Sequence, residues 1–273
     1  MEIKKVIEDV CKYRRIMYRY SGSCKFKKNK VNKDRFEYIF HSPTMALPYH
    51  YDKLMEELKK HFTIPPEVLQ IGSEDIKDNR QLPIIAVEPK GDDTTLKFYS
   101  WYDDAIGGLH WDRSGPIIRP IHVCTGFKWK LKDPSTYEMD TYVTQPMRSR
   151  EEILSLAEKY KFFHHAVKET LKLSKSTIKE LLFNKIKGTK GTRNSYDIAF
   201  IAETIRMNDI ENVTRYLADY FEIEEKDYSD LLDHLDGQFL TFIQGGIDNK
   251  GEEFLSYYYC EKDQLPEDLQ EIS

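Results

Sequence analysis

Strand-like alternation of apolar and polar residues recurs in pairs along the chain. A short turn rich in Gly, Asn, Asp, Lys or Pro joins the two runs of each pair. This combination is typical of antiparallel hairpins. The five predicted hairpins are 16–26 with 35–41, 83–89 with 94–102, 121–132 with 135–143, 180–188 with 194–203, and 239–247 with 252–261. The pattern therefore predicts ten antiparallel strands.

Helical periodicity separates most of these hairpins. Three segments carry an apolar face at helical spacing: 51–62, 149–175 and 209–221. The exception is 103–120, which contains Gly-Gly and Gly-Pro and is expected to be a loop. The order helix–strand–strand repeats without a Pro-rich or Gly/Ser-rich linker, so we expect residues 1–273 to form one α+β domain.

Ten antiparallel strands with helices outside can close into a barrel of five αββ-type repeats, because closure removes both sheet edges. The face beneath the helices must be apolar, so the alternating polar residues should point inward. Burying these charges unpaired would cost too much free energy, so the lumen should be wet and open to a ligand. An open sheet with one polar face in solvent remains an alternative. The inward set on four strands includes Arg35, Glu37, Lys97, Tyr99, Trp101, Cys124, Lys128, Lys130, Glu138, Asp140 and Tyr142.

Composition narrows the class of protein. Aromatic residues make up 13% of the chain, which argues against disorder. No apolar run approaches the ~18 residues of a membrane-spanning helix, and the first residues lack the apolar core of a secretory signal. Four widely spaced cysteines without CxxC indicate neither a zinc site nor a disulfide framework. We expect a soluble, cytoplasmic protein without a membrane partner.

Charge is unevenly distributed. Residues 1–35 carry 12 Lys or Arg against 4 acids, and residues 217–273 carry 16 acids against 3 bases. The simplest interpretation is two solvated faces that attract each other. Alternatively, the basic end faces an anion. A nucleic-acid-binding module formed by 1–35 is the weakest interpretation, because the overall pI is near 6.0; no nucleic-acid partner is expected.

Four short strings follow one another between residues 16 and 260. They are 20–25 (YSGSCK) followed by Arg35 and Phe36, 94–97 (TTLK), Gly126 and Phe127 with Glu138 in the partner strand, and 256–259 (SYYY). In this order they resemble the hairpins of the cyanobactin peptide prenyltransferases. The resemblance implies the aromatic prenyltransferase barrel, in which αββα-type units surround a central cavity. It also implies transfer of a dimethylallyl or geranyl group from an allylic diphosphate to a residue of a ribosomally made peptide, or to a related aromatic or amine acceptor, with Mg²⁺.

Positive side chains are expected to bind the diphosphate, because charge develops on its oxygen as it leaves. Arg35 and Lys97 match family positions that serve the diphosphate. Arg19, Lys25, Lys128 and Lys130 share inward faces and are secondary candidates.

Aromatic faces stabilise the positive prenyl fragment and exclude water. The candidates for this wall are Tyr99, Trp101, Tyr142, Tyr257 and Tyr259, with Tyr258 in place of its neighbours if the last strand has the other parity.

Ser21 stands where peptide O-prenylating members of the family have a glutamate. Serine is no general base at neutral pH, so Glu138, Glu37 or Asp140 should accept the proton, or the acceptor needs no strong base. Our prediction is Glu138, with Asp140 supporting it or holding Mg²⁺. Transfer to tyrosine oxygen is disfavoured. The alternative class is a non-catalytic barrel that binds an anionic or aromatic small molecule and needs neither base nor Mg²⁺.

Overall fold

The computed structural model describes residues 3–40, 48–70, 81–91, 93–102, 119–178, 180–189, 192–200 and 203–264. The strands are β1 Tyr18–Lys27, β2 Lys30–Phe40, β3 Gln81–Glu88, β4 Thr95–Tyr102, β5 Ile121–Lys130, β6 Asp133–Thr144, β7 Leu182–Gly188, β8 Asn194–Ala199, β9 Phe239–Ile247 and β10 Glu253–Cys260. The helices are α1 Ile3–Arg14, α2 Pro48–Lys59, α3 Arg150–Ala157, α4 Lys161–Leu173, α5 Glu211–Tyr220 and α6 Glu225–Leu235, with 3₁₀ turns at Met207–Ile210 and Lys262–Gln264.

The ten strands close into one antiparallel barrel. Each strand pairs with its neighbours in the chain, and β1 also pairs with β10, which leaves no free edge. The prediction of a closed ten-stranded barrel with helices outside is confirmed, and the open-sheet alternative is wrong. Within the described ranges, no helix is both long and apolar enough to cross a bilayer.

Local boundaries differ from the sequence prediction for identifiable reasons. Strand β2 begins at Lys30 rather than 35, because Asn29 adopts the left-handed conformation (φ 61°) and makes the turn tighter than expected. The helical run 149–175 divides into α3 and α4. Ser149 caps the first of these helices, since its side chain accepts a hydrogen bond from the Glu152 N–H. Of the predicted loop at 103–120, residues 103–118 lie outside the described part of the chain.

The outer face of the barrel is apolar, as its alternation predicts. Phe36 and Phe40 of β2 and Phe98 of β4 share one buried cluster with Val10 of α1 and Leu58 of α2. A second cluster packs β7–β10 beneath α3–α6. Full burial of one such side chain stabilises the fold by about 1.5–3 kcal/mol, so these two clusters fix the direction in which every strand faces.

Strand β10 has the parity opposite to the one predicted. Tyr257 and Tyr259 lie in the outer cluster beneath the helices, and the Tyr259 hydroxyl is 2.8 Å from His234 Nε2 of α6. Tyr258 instead points inward. The prediction that Tyr257 and Tyr259 line the lumen is therefore wrong. Three successive tyrosines carry no alternation; Leu255, fully buried in the outer cluster, sets the parity.

We expect Tyr257→Ala to lower the free energy of unfolding by about 3–5 kcal/mol, because it empties a site packed against the helices. Tyr258→Ala removes the same kind of side chain from the lumen face and should lower the free energy of unfolding clearly less. Urea denaturation of both variants measures the difference. Equal losses, or the larger loss in Tyr258→Ala, would contradict the assigned parity of β10.

Candidate functional site

Three positive side chains meet inside the barrel near its hairpin end. Lys25 of β1, Arg35 of β2 and Lys97 of β4 come from strands that are neighbours or separated only by β3. Glu88, the last residue of β3, lies between them. Its Oε2 is 3.1 Å from Lys97 Nζ and 3.6 Å from Arg35 Nε. We call these four residues the cation cluster.

The cation cluster contains more positive charge than Glu88 can neutralise. Lys25 makes no hydrogen bond or ion pair with the described residues, and its Nζ lies 4.4 Å from the centre of the Phe254 ring. Arg35 donates from Nη1 to Ser256 Oγ at 3.1 Å, but its buried Nε has no hydrogen-bond acceptor within the described ranges. Such an arrangement has the donors and the charge that an anion with several oxygens requires.

The pKa values of the cluster follow from burial and crowding. Burial lowers the pKa of Lys25 well below its usual range. Burial and the charge of Arg35 lower the pKa of Lys97 to about 8. The neighbouring Lys97, with Arg35, strongly lowers the pKa of Glu88, which is therefore ionised at neutral pH. An incoming anion would favour the protonated forms of Lys25 and Lys97 and offset their repulsion with Arg35.

A second charged group lies on the wall formed by β5–β8. Lys128 Nζ is 2.8 Å from Glu138 Oε2 and 3.3 Å from Asp140 Oδ2. Arg193, the residue directly before β8, pairs with Asp140. Asn249, in the turn between β9 and β10, donates to Glu138 on β6 and so reaches past β8 and β7. Both predicted carboxylates are thus engaged by positive or amide groups.

These residues do not fit a resident Mg²⁺ ion. The Asp140 Oδ1 atom is buried without a hydrogen-bond partner, but Oδ2 of the same carboxylate is held by Lys128 and Arg193. Within the described ranges, no group of three or more His, Cys, Asp or Glu side chains could hold a metal. A divalent cation prefers several free oxygen ligands, and here two cations already occupy the carboxylates.

Aromatic rings continue the lumen wall beyond the charges. Tyr99 and Tyr142 meet edge to face with ring centres 6.0 Å apart, and Trp101 lies 6.2 Å from Tyr142. Gly126 is required here, because a Cβ atom at that position would approach the Tyr99 ring to 2.7 Å. The predicted wall positions of Tyr99, Trp101 and Tyr142 are thus brought together, and Tyr258 joins them opposite Arg35, with the guanidinium carbon 5.7 Å from the ring centre.

Glu37 is an inward carboxyl without a partner in the described part of the chain. Glu37 of β2 is buried and makes no hydrogen bond or ion pair with the residues described. Burial raises its pKa to about 7, although Arg35 and Lys97 oppose the shift. It lies directly across the β1–β2 register from Ser21, whose hydroxyl donates to the backbone oxygen of Tyr259 at 3.1 Å. Glu37 is therefore poised between its neutral and ionised forms beside the aromatic wall.

Two candidates lie apart from the cation cluster. Arg19 is six residues before Lys25 on β1, a separation of about 20 Å along an extended strand. Lys130 is at the hairpin end of β5 and pairs with Asp93 at 3.1 Å.

The sequence predictions missed Glu88, Arg193 and Asn249 as lumen residues. Arg193 had a signal, because Tyr196 and Ile198 pack outward and place Arg193, Ser195 and Asp197 on the opposite face. The sequence gives little indication that Glu88 points inward, since both faces of β3 are mostly apolar and show no alternation. Asn249 had none, because it lies in a turn.

Solved structures with the same architecture define the class of fold. AnaPT from Neosartorya fischeri aligns with a TM-score of 0.51 at 9% identity, covering 88% of this chain and 77% of that chain. NotF prenyltransferase aligns with a TM-score of 0.53 at 10% identity, covering 88% and 80%. NotF in complex with brevianamide F and DMSPP gives a TM-score of 0.53 at 10% identity, covering 88% and 79%. The chain therefore has the prenyltransferase-barrel fold. No known protein family and no curated protein matches it in sequence.

We expect Lys25→Met to weaken pyrophosphate binding by about tenfold or more, since it removes the basic side chain that has no ion-pair partner among the described residues. The folded protein should not become less stable, because burial of this ammonium opposes folding. Because the pKa of Lys25 is lower in the folded protein than in the unfolded chain, the unfolded chain binds more protons between these two pKa values. The free energy of unfolding of the wild type should therefore rise with pH in this range, and Lys25→Met should lose that rise. Calorimetry and urea denaturation measure both quantities. Lys28→Met, at a position with a 73% exposed side chain, is the matched control. Unchanged affinity in Lys25→Met would contradict the anion site.

Proposed function

We propose that this protein is a prenyltransferase that takes an isoprenyl group from an allylic diphosphate. The observation that carries the proposal is the excess of buried positive charge on Lys25, Arg35 and Lys97, directly beside an aromatic wall. The fold supports it, because a prenyltransferase solved with brevianamide F and DMSPP has the same barrel.

The basic part of the lumen suits the diphosphate, and the aromatic part suits the prenyl fragment. When the bond between the allylic carbon and oxygen breaks, negative charge develops on the diphosphate and positive charge on the prenyl fragment. We assign the first charge to Arg35, Lys97 and Lys25, which are held in place before the reaction. Tyr99, Tyr142 and Tyr258 face the second, at roughly 0.5–2 kcal/mol for each well-placed ring. Burial raises the pKa values of Tyr99 and Tyr142, so both rings stay neutral.

For the acceptor, we propose a residue of a ribosomally made peptide, as in the cyanobactin enzymes, or a related aromatic or amine group. Glu37 is the best-supported proton acceptor, because it has no ion-pair partner among the described residues and lies across from Ser21. Glu138, favoured by the sequence, stays a prediction. Burial opposes its ionisation, but hydrogen bonds from Lys128 and Asn249 outweigh burial and lower its pKa, which makes it a weaker base. Glu138 and Asp140 then serve to position Lys128 and Arg193.

The test is direct. The purified protein is incubated with dimethylallyl or geranyl diphosphate and a panel of peptides, indoles and amines, and mass spectrometry detects added isoprenyl mass. Arg35→Met and Lys97→Met should each lower transfer and weaken pyrophosphate binding by about tenfold or more, with circular dichroism unchanged. Pyrophosphate binding without transfer to any acceptor would favour the non-catalytic anion-binding barrel instead.

We expect Glu37→Gln to lower turnover about 10²–10⁴-fold while pyrophosphate binding persists. A base must be ionised, and the pKa of Glu37 is raised to about 7, so wild-type kcat/KM should increase as pH rises through about 7. That rise should vanish in Glu37→Gln. Glu138→Gln serves as the comparison and should keep the rise. The assignment is wrong if the pH dependence disappears in Glu138→Gln and survives in Glu37→Gln.

A further inference from the structure

Glu88 already occupies the place that the proposed site reserves for an anion. Its carboxylate contacts two of the three cations, Lys97 at 3.1 Å and Arg35 at 3.6 Å, through the same oxygen. Both are predicted ligands of the diphosphate. Lys25 acts on the same carboxylate through its charge. A diphosphate that used these groups would have to bring several negative charges to within a few ångströms of an ionised carboxylate.

Such proximity is unfavourable, because two unit negative charges 4 Å apart repel by about 4 kcal/mol at the effective dielectric of a protein surface. The position of Glu88 would let its carboxylate avoid this repulsion. It ends β3, next to the turn in which Gly91 adopts a positive φ of 54°, and 29% of its side chain is exposed. Its place at the end of the strand leaves the carboxylate a route toward solvent.

We propose that Glu88 is an internal counter-ion which holds Lys25, Arg35 and Lys97 together in the empty barrel, and that a bound diphosphate displaces it. This rests on the proposed function only in naming the diphosphate as the anion. Without Glu88, the charges of Arg35 and Lys97 would lie beside Lys25 without a counter-ion, which is costly. With it, every anion must first displace a carboxylate, so an anion with few contacts, such as inorganic phosphate, is kept out at concentrations at which a diphosphate binds.

Glu88→Gln isolates this role. The variant should bind pyrophosphate about ten- to hundredfold more tightly than wild type by calorimetry, because the competing charge is gone. Asp93→Asn is the matched control: it removes an exposed carboxylate from the same β3–β4 hairpin, where Asp93 pairs with Lys90 at 3.2 Å. Its affinity should change less than about twofold.

A second readout separates competition from general loosening. Without an anion, Glu88→Gln should melt at a lower temperature than wild type, and saturating pyrophosphate should raise its melting temperature by more than that of wild type. In a Lys97→Met background, the gain in affinity from Glu88→Gln should shrink, because the two residues act on each other. If Glu88→Gln does not fold, Glu88→Asp, whose shorter side chain withdraws from Lys97, should give a smaller tightening in the same direction.

The outcomes distinguish the two proposals. If wild type binds pyrophosphate and Glu88→Gln binds it equally or less tightly, the counter-ion role is overturned and the donor site stands. If neither protein binds pyrophosphate, both proposals fall. If Glu88→Gln binds more tightly but no variant transfers a prenyl group, the counter-ion role is supported and the transferase activity is rejected.

Discussion

Repulsion among Lys25, Arg35 and Lys97 is the constraint on which the rest of this molecule depends. Three cations can be held together away from bulk water only on a scaffold that resists their separation. Here the scaffold is a closed sheet in which each of their strands is hydrogen-bonded on both sides. The apolar clusters beneath the helices supply the free energy that the charged interior does not. The lumen is therefore stabilised from outside.

Separation of charge along the lumen follows from strand direction. Residues of one strand that face inward are about 7 Å apart, so Arg35 and Glu37, or Lys97 and Tyr99, are successive steps along the same wall. Arg35 and Lys97, nearer the hairpin end, are the basic residues of these pairs. Glu37 and Tyr99, the next inward residues, are a titrating carboxyl and an aromatic ring. One antiparallel barrel can thus hold an anion and a neutral or cationic group next to each other with few residues from each strand.

Where the two faces of a strand differ in polarity, the sequence predicted their directions correctly. Phe36 and Phe98 pack outward, and Arg35 and Lys97 point inward, because an error of one residue would bury charges beneath the helices. Prediction failed where this contrast was absent. Tyr257, Tyr258 and Tyr259 are chemically equivalent, and β3 is apolar on both faces between Gln81 and Glu88. In β10 and β3, the direction of each side chain depends on packing in the fold and cannot be read from residue type.

Other features depend on contacts between distant parts of the chain. Asn249 bonds to Glu138 across two intervening strands, and no local pattern signals such a contact. Arg193 lies one residue before its strand, so only the parity of Tyr196 and Ile198 could have placed it in the lumen. The resemblance to family motifs led to Arg35 and Lys97. Glu88, the carboxylate that pairs with both, belongs to none of these motifs.

Pairing of β1 with β10 has a consequence for how the protein is made. Arg35 and Lys97 emerge early during synthesis, whereas Ser256 and Tyr258, which contact Arg35, emerge some 160 residues after Lys97. At about 5–20 residues per second, the growing chain lacks the last strand for on the order of ten seconds, and until then the barrel cannot close. Contacts of such long sequence separation also slow folding itself. The barrel is therefore expected to close only after the last hairpin has left the ribosome.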